Sequence, residues 1–159
     1  MADMLVDLMD LELPVELEKK LLEEGIQIKQ ALAPDRSKVM RFAATFSEEW
    51  SDEVAASFSN MPVTCYIAVN NKEIIGFACY EATAKAFFGP TGVNLDYRKK
   101  GIGKALLLRA LIGLRELGYA YGFIGSPAES AIHFYKEAAH GTLIENKKGG
   151  IYRRMVKAD

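Results

Sequence analysis

The segment Gly103–Leu117 constrains this chain more than any other: apart from Lys104, Arg109, Arg115 and Glu116, every residue in it is apolar or glycine. At about 100° per residue those four polar side chains share one sector. A helix that buries so much of its circumference packs against a sheet. Leu108 and Ile112, four apart, fall inside the polar sector, where they point to contact with another element or with a second copy of the chain, as in a homodimer. Gly118 ends the helix. Tyr119–Ile124 follows as a near-continuous apolar run, the pattern of a parallel strand covered on both faces.

Upstream, Cys65–Val69 and Ile74–Ala78 flank Asn70-Asn71-Lys72, whose asparagines tolerate positive φ, and this predicts a β-hairpin. A further strand is expected over Ala86–Leu95. Gly89-Pro90 interrupts it, and because proline has no N–H to give to a ladder, a bulge or bend belongs there. Strand, buried helix and strand in this order call for a right-handed parallel crossover inside a mixed sheet.

The remaining elements are shorter. Pro14 opens and Gly25 closes a helix, which makes residues 1–24 a helical extension. Residues 25–159 form the main domain, beginning with a short alternating strand at Gly25–Ala31. Pro34-Asp35-Arg36 and Ser47-Glu48-Glu49 start two helices that carry Phe42 and Trp50. After Ile124 the pattern gives a helix over Ala128–Ala138, then a last strand pair, Thr142–Ile144 with Ile151–Val156. The fold class is α/β (α+β): a mixed, mostly antiparallel sheet of six or seven strands with helices on both faces.

Composition narrows the function. In 159 residues the formal charge is -1, which argues against a nucleic-acid partner, since phosphate binding leaves a basic excess. Cys65 and Cys79 are too few for a disulfide framework and lack the spacing of a zinc site, with only His133 and His140 to supply imidazole. They read as buried thiols, and no metal is expected. Asp3, Asp7 and Asp10 stand where a signal peptide would be basic. No apolar run approaches the roughly 20 residues of a membrane span. A cytoplasmic location without membrane association is expected.

The candidate site is the turn Arg98-Lys99-Lys100-Gly101-Ile102-Gly103 together with Lys104. A glycine-rich strand-to-helix turn presents free N–H groups and the positive end of a helix dipole, which favours phosphate. The flanking cations add charge-assisted hydrogen bonds. Two nucleotide fingerprints fail here. A Walker loop needs glycine and a hydroxyl where this chain has Arg98 and Ala105, and the dinucleotide motif needs a third glycine where it has Leu106.

The run from Val93 to Leu107 resembles the acyl-CoA motif of the GNAT N-acetyltransferase superfamily, and Ala131-Ile132-His133-Phe134-Tyr135 resembles that family's Ala-x-x-Phe-Tyr segment. The resemblance extends from about Ile26 to Val156. It implies two strands that splay apart to bind acetyl-CoA, the donor substrate. Val93 and Leu95 would offer backbone groups to pantetheine, and Arg98, Lys99, Lys100, Gly101, Ile102, Gly103 and Lys104 would hold the pyrophosphate. Tyr135 would protonate the leaving thiolate. The acceptor is a small-molecule or peptide amine, and the early helices and Lys147–Tyr152 are the segments that would meet it.

The proton-abstracting base has no comparable candidate. Glu81 is the carboxylate nearest the expected active strands, and His133 and His140 are the alternatives. The chain departs from the family pattern at Leu95 (usually proline), Lys99 (usually glycine), Ala128 (usually asparagine) and Ala139-His140 (usually Gly-Phe). A catalytically silent acyl-CoA-binding or interaction module on the same fold is the alternative function.

Overall fold

The computed structural model describes residues 2–156. Its seven strands are β1 (Met4–Asp7), β2 (Ile26–Gln30), β3 (Cys65–Asn70), β4 (Glu73–Tyr80), β5 (Phe87–Val93), β6 (Tyr121–Ile124) and β7 (Thr142–Leu143). They form one open sheet in the order β2-β3-β4-β5-β6-β1-β7. Only β5 and β6 pair in parallel; the other neighbours are antiparallel. The helices are α1 (Val15–Glu23), α2 (Arg36–Ala44), α3 (Glu48–Ser57), α4 (Ile102–Glu116) and α5 (Ile132–Ala139). The α/β mixed sheet and the β5-α4-β6 crossover agree with the sequence expectation.

Helices cover both faces because β4 alternates. Ala78 and Tyr80 join the core around α4, whereas Phe77 and Cys79 join the smaller core against α2 and α3. Tyr80 fits against α4 only because Gly113 has no side chain: a Cβ there would come within 2.5 Å of the tyrosine ring. In the β3–β4 hairpin Asn71 (φ 51°) and Lys72 (φ 65°) take the left-handed conformations that a two-residue turn needs. On β5 one extra residue lies between the pairs Ala78↔Thr91 and Tyr80↔Phe88, and this is the bulge expected at Gly89-Pro90.

Three expectations change. Residues 1–24 are not a wholly helical extension. Val15–Glu23 is helical, but Met4–Asp7 is a strand inserted between β6 and β7. Its alternation puts Met4 and Val6 in the core, which is why a short, acid-flanked segment holds this position. The last strand pair is also absent as drawn. β7 pairs with β1, and Ile151–Arg154 is a 3-10 helix. Finally, Leu108 and Ile112 are buried within this chain, in the same core as Leu8, Leu11 and Leu21 from the N-terminal segment. Their burial needs no second copy.

Candidate active site

β5 and β6 are paired only at Phe87↔Phe123 and Phe88↔Ile124. Beyond that point β5 passes through its bulge (Gly89 φ 117°) and follows β4 to Val93, while β6 stops at Ile124. The strands part, and a cleft of about 780 Å³ opens between them. Antiparallel alternation decides which backbone groups face it. The Asn94 N–H donates to Ile75 O at 2.8 Å. With Gly76↔Val93 and Phe77↔Gly92 as partners, Gly92 and Asn94 bond to β4. The N–H and C=O of Thr91 and Val93 therefore turn toward the cleft.

Val93 thus turns its backbone groups to the cleft, and Leu95 does not. The Asn94 side chain accepts the Asp96 N–H at 2.9 Å and folds Leu95–Tyr97 into a 3-10 turn. Leu95 ends 72% exposed and outside the cleft lining. Thr91 faces the cleft beside Val93 instead.

The glycine-rich turn lies at one end of the cleft. Lys99 (φ 67°) and Gly101 (φ 91°) are both left-handed, and alternation of this kind gathers successive N–H groups into a concave anion nest. Gly101 is the N-cap of α4, and Ala105 makes the first backbone bond back to it, at 3.0 Å. The N–H groups of Ile102, Gly103 and Lys104 are left without helical partners at the positive end of the helix. Arg98, Lys99, Gly101, Ile102, Gly103 and Lys104 all line the cleft. Lys100 does not: its Nζ turns to the outside of the turn and pairs with Glu24 Oε1 at 3.1 Å.

Tyr135, from α5, is a cleft-lining residue that is 7% exposed. Its ring meets Phe88 edge-on with centroids 6.1 Å apart and Phe134 at 5.3 Å. Burial raises its phenol to about 12, so it keeps its proton at neutral pH. Its hydroxyl donates no hydrogen bond among the described residues, and no buried side-chain polar atom among them lacks a partner. That hydroxyl is accordingly reached from the cleft. Ala128 also lines the cleft and leaves the next 3-10 turn without a side-chain cap. His140 ends α5 at φ 56°, filling the left-handed position that glycine usually takes.

The expected base candidates lie elsewhere. Glu81 is a loop staple. Its Oε1 accepts the Ala86 N–H at 2.7 Å and its Oε2 accepts the Tyr119 hydroxyl at 2.8 Å. His133 is exposed beside Glu137, and neither it nor His140 lines the cleft. The carboxylates that do are Glu49 and Glu53 of α3, which stand with Trp50 across from the splayed strands. The sequence reading missed both. The available signal was the spacing of Trp50 and Glu53, which puts them on one helix face. Phe42 packs on Phe77 in the core instead of lining the cleft, and of the Lys147–Tyr152 segment only Tyr152 reaches it.

A family model, Acetyltransferase (GNAT) family, matches residues 26–141. The chain belongs to the GNAT acetyltransferase family. Solved structures share its fold at low identity. One is a fungal multi-domain GH3 beta-N-acetylglucosaminidase, with a GCN5-related glucosamine N-acetyltransferase region (TM-score 0.70, 14% identity, 90% of this chain and 19% of that one). Another is a GCN5-related N-acetyltransferase from Sphaerobacter thermophilus (0.60, 20%, 90% and 48%). A third is a GNAT family acetyltransferase from Brucella melitensis in complex with acetyl-CoA (0.56, 16%, 84% and 93%). The chain spans about a fifth of the first and about half of the second. Comparison with curated protein sequences gives no significant match.

Proposed function

We propose that this GNAT acetyltransferase moves an acetyl group from acetyl-CoA to an amine by direct attack in a ternary complex. The observation that carries the reading is a single cleft holding three things in sequence: the anion nest at Lys99–Lys104, the free backbone groups of Thr91 and Val93, and the protonated Tyr135. The pyrophosphate would sit on the N–H groups of Ile102, Gly103 and Lys104, with Arg98 and Lys99 adding charge. The amide groups of pantetheine would extend the edge of β5 through Thr91 and Val93, as a strand adds to an exposed edge. The thioester then lies between β5 and α5. A β5 N–H stabilises the developing oxyanion, and the Tyr135 hydroxyl gives its proton to the departing sulfur.

Isothermal titration with coenzyme A tests the site. Binding is expected in the wild type and is expected to be lost in a Gly101→Glu/Gly103→Glu double variant. Wild-type affinity in that variant overturns the assignment. Coenzyme A binding with no acetyl transfer to any amine would return the chain to a silent acyl-CoA-binding module.

A further inference from the structure

The donor cleft is not closed at its α3 side. A second cleft of about 450 Å³ adjoins it, and the two share Glu49, Glu53, Tyr152 and Met155 in their walls. This shared waist is where a molecule entering by the second cleft would meet one held in the first. Of the two carboxylates there, Glu49 is exposed and makes no hydrogen bond among the described residues. Glu53 is partly buried and held from two other parts of the fold. Its Oε2 accepts the Tyr152 hydroxyl at 2.6 Å and also accepts the hydroxyl of Thr83, from the loop after β4. Both clamping bonds fall on one oxygen, and Oε1 has no partner among the described residues.

From this geometry we infer that Glu53 is the base of the reaction proposed above, with the second cleft as the entrance for the amine. As the amine nitrogen bonds to the acetyl carbon, one N–H proton passes to Glu53 Oε1. The C–S bond then breaks, the sulfur takes the Tyr135 proton, and solvent returns a proton to Tyr135 and accepts the one on Glu53. The products are the amide and coenzyme A. The clamp explains why this carboxylate and not its neighbour: two hydroxyl donors fix the orientation of one oxygen and leave the other for the amine. Among the described residues, Glu49, Asp52 and Arg154 are the other charged groups in the second cleft, so they share its field with Glu53 and Tyr152.

The inference rests on the acetyltransferase reading, and one set of measurements separates the two. Full-chain protein is assayed with acetyl-CoA and a panel of glucosamine, a linear polyamine, an aminoglycoside and a peptide α-amine. Kinetics are then followed on an amine that the wild type acetylates. Glu53→Gln keeps an acceptor for both hydroxyls and removes the base. It should lower kcat by about 10²-fold or more and leave coenzyme A affinity unchanged by titration. Tyr152→Phe, which loses one clamp only, should lower kcat less. Wild-type kcat in Glu53→Gln overturns Glu53 as the base and leaves the acetyltransferase reading standing. Wild-type protein that acetylates no amine overturns both.

Discussion

Asp3 holds Ile151: its Oδ2 accepts the Ile151 N–H at 2.8 Å while its Oδ1 accepts the Ser126 N–H, also at 2.8 Å. One carboxylate at the start of the chain thus ties the end of β6 to the 3-10 helix that carries Tyr152. Gly150 permits this, since a Cβ there would overlap the Asp3 carboxylate. Removing the carboxylate leaves two partly buried N–H groups without their acceptor. Asp3→Ala should therefore cost about 1–3 kcal/mol in thermal or urea unfolding. Because the Tyr152 wall loosens, acceptor KM should rise more than the coenzyme A Kd. Unchanged kinetics in a destabilised variant would confine Asp3 to a folding role.

The core helix and the nest also depend on the N-terminal segment. Arg109 of α4 grips Glu18 of α1 with two bonds, Nε to Oε2 at 2.7 Å and Nη2 to Oε1 at 2.6 Å. The side chains are 28% and 17% exposed, so solvent screens the pair less than a surface one. Glu18→Ala and Arg109→Ala should each lose about 1–3 kcal/mol, and the double variant less than their sum. The hydrogen bonds that Arg109 donates to Glu18 raise the Arg109 pKa above its already high value. Stability from a raised group is lost only as pH climbs through it, so the penalty should be constant from neutral to mildly alkaline pH. A double-mutant cycle across that range checks it.

How far the sequence reveals this protein differs by element. The helix Ile102–Glu116 was legible because its few polar residues leave no other way to bury it, and the nest because glycines and cations sit together at its start. β1 was not legible. Four residues between acidic flanks carry too little pattern, and their place is set by the unpaired edges of β6 and β7. Ile151–Arg154 reads as strand from its composition, yet Asp3, almost the whole chain away, decides its geometry. Glu53 was hidden for the same kind of reason. Its clamp joins Thr83 and Tyr152, separated from it by 30 and 99 residues, and no local motif records that meeting.

Tyr135→Phe keeps the ring contacts with Phe88 and Phe134 and removes only the hydroxyl, which has no partner in the described chain. The variant should bind coenzyme A as the wild type does, melt within about 0.5 kcal/mol of it, and lose about 10²-fold or more in kcat. Equal turnover would exclude this phenol as the acid.

The buried phenols also set an alkaline limit. Burial raises Tyr80, Tyr135 and Tyr152, with Tyr135 reaching about 12, and the Glu53 carboxylate adds to the rise at Tyr152. In the unfolded chain a tyrosine releases its proton near pH 10. The native chain therefore holds protons that the unfolded chain gives up above that pH. The contribution of these groups to stability should be flat below pH 10 and fall as pH rises from there. Melting temperatures measured across the alkaline range check this, and Tyr135→Phe should shallow the fall.

Gly101 and Gly103 look alike in the motif but do different work. At Gly101 the backbone is left-handed, and an added Cβ would come within 2.7 Å of Leu17 Cδ1 on α1. Gly101→Ala should thus cost roughly 1–2 kcal/mol through strain and contact and disturb the nest as well. At Gly103 the nearest neighbours of an added Cβ are Phe134 at 3.8 Å and Val93 at 3.9 Å, ordinary packing distances, and helical φ favours alanine over glycine. Gly103→Ala should fold with equal or slightly greater stability, so any loss of coenzyme A affinity must come from the methyl group occupying the cleft. Gly103→Glu should fold too, yet reject the diphosphate by charge. Titration with coenzyme A beside thermal melts separates the cases. A Gly103→Glu variant that folds and still binds normally would move the pyrophosphate away from this turn.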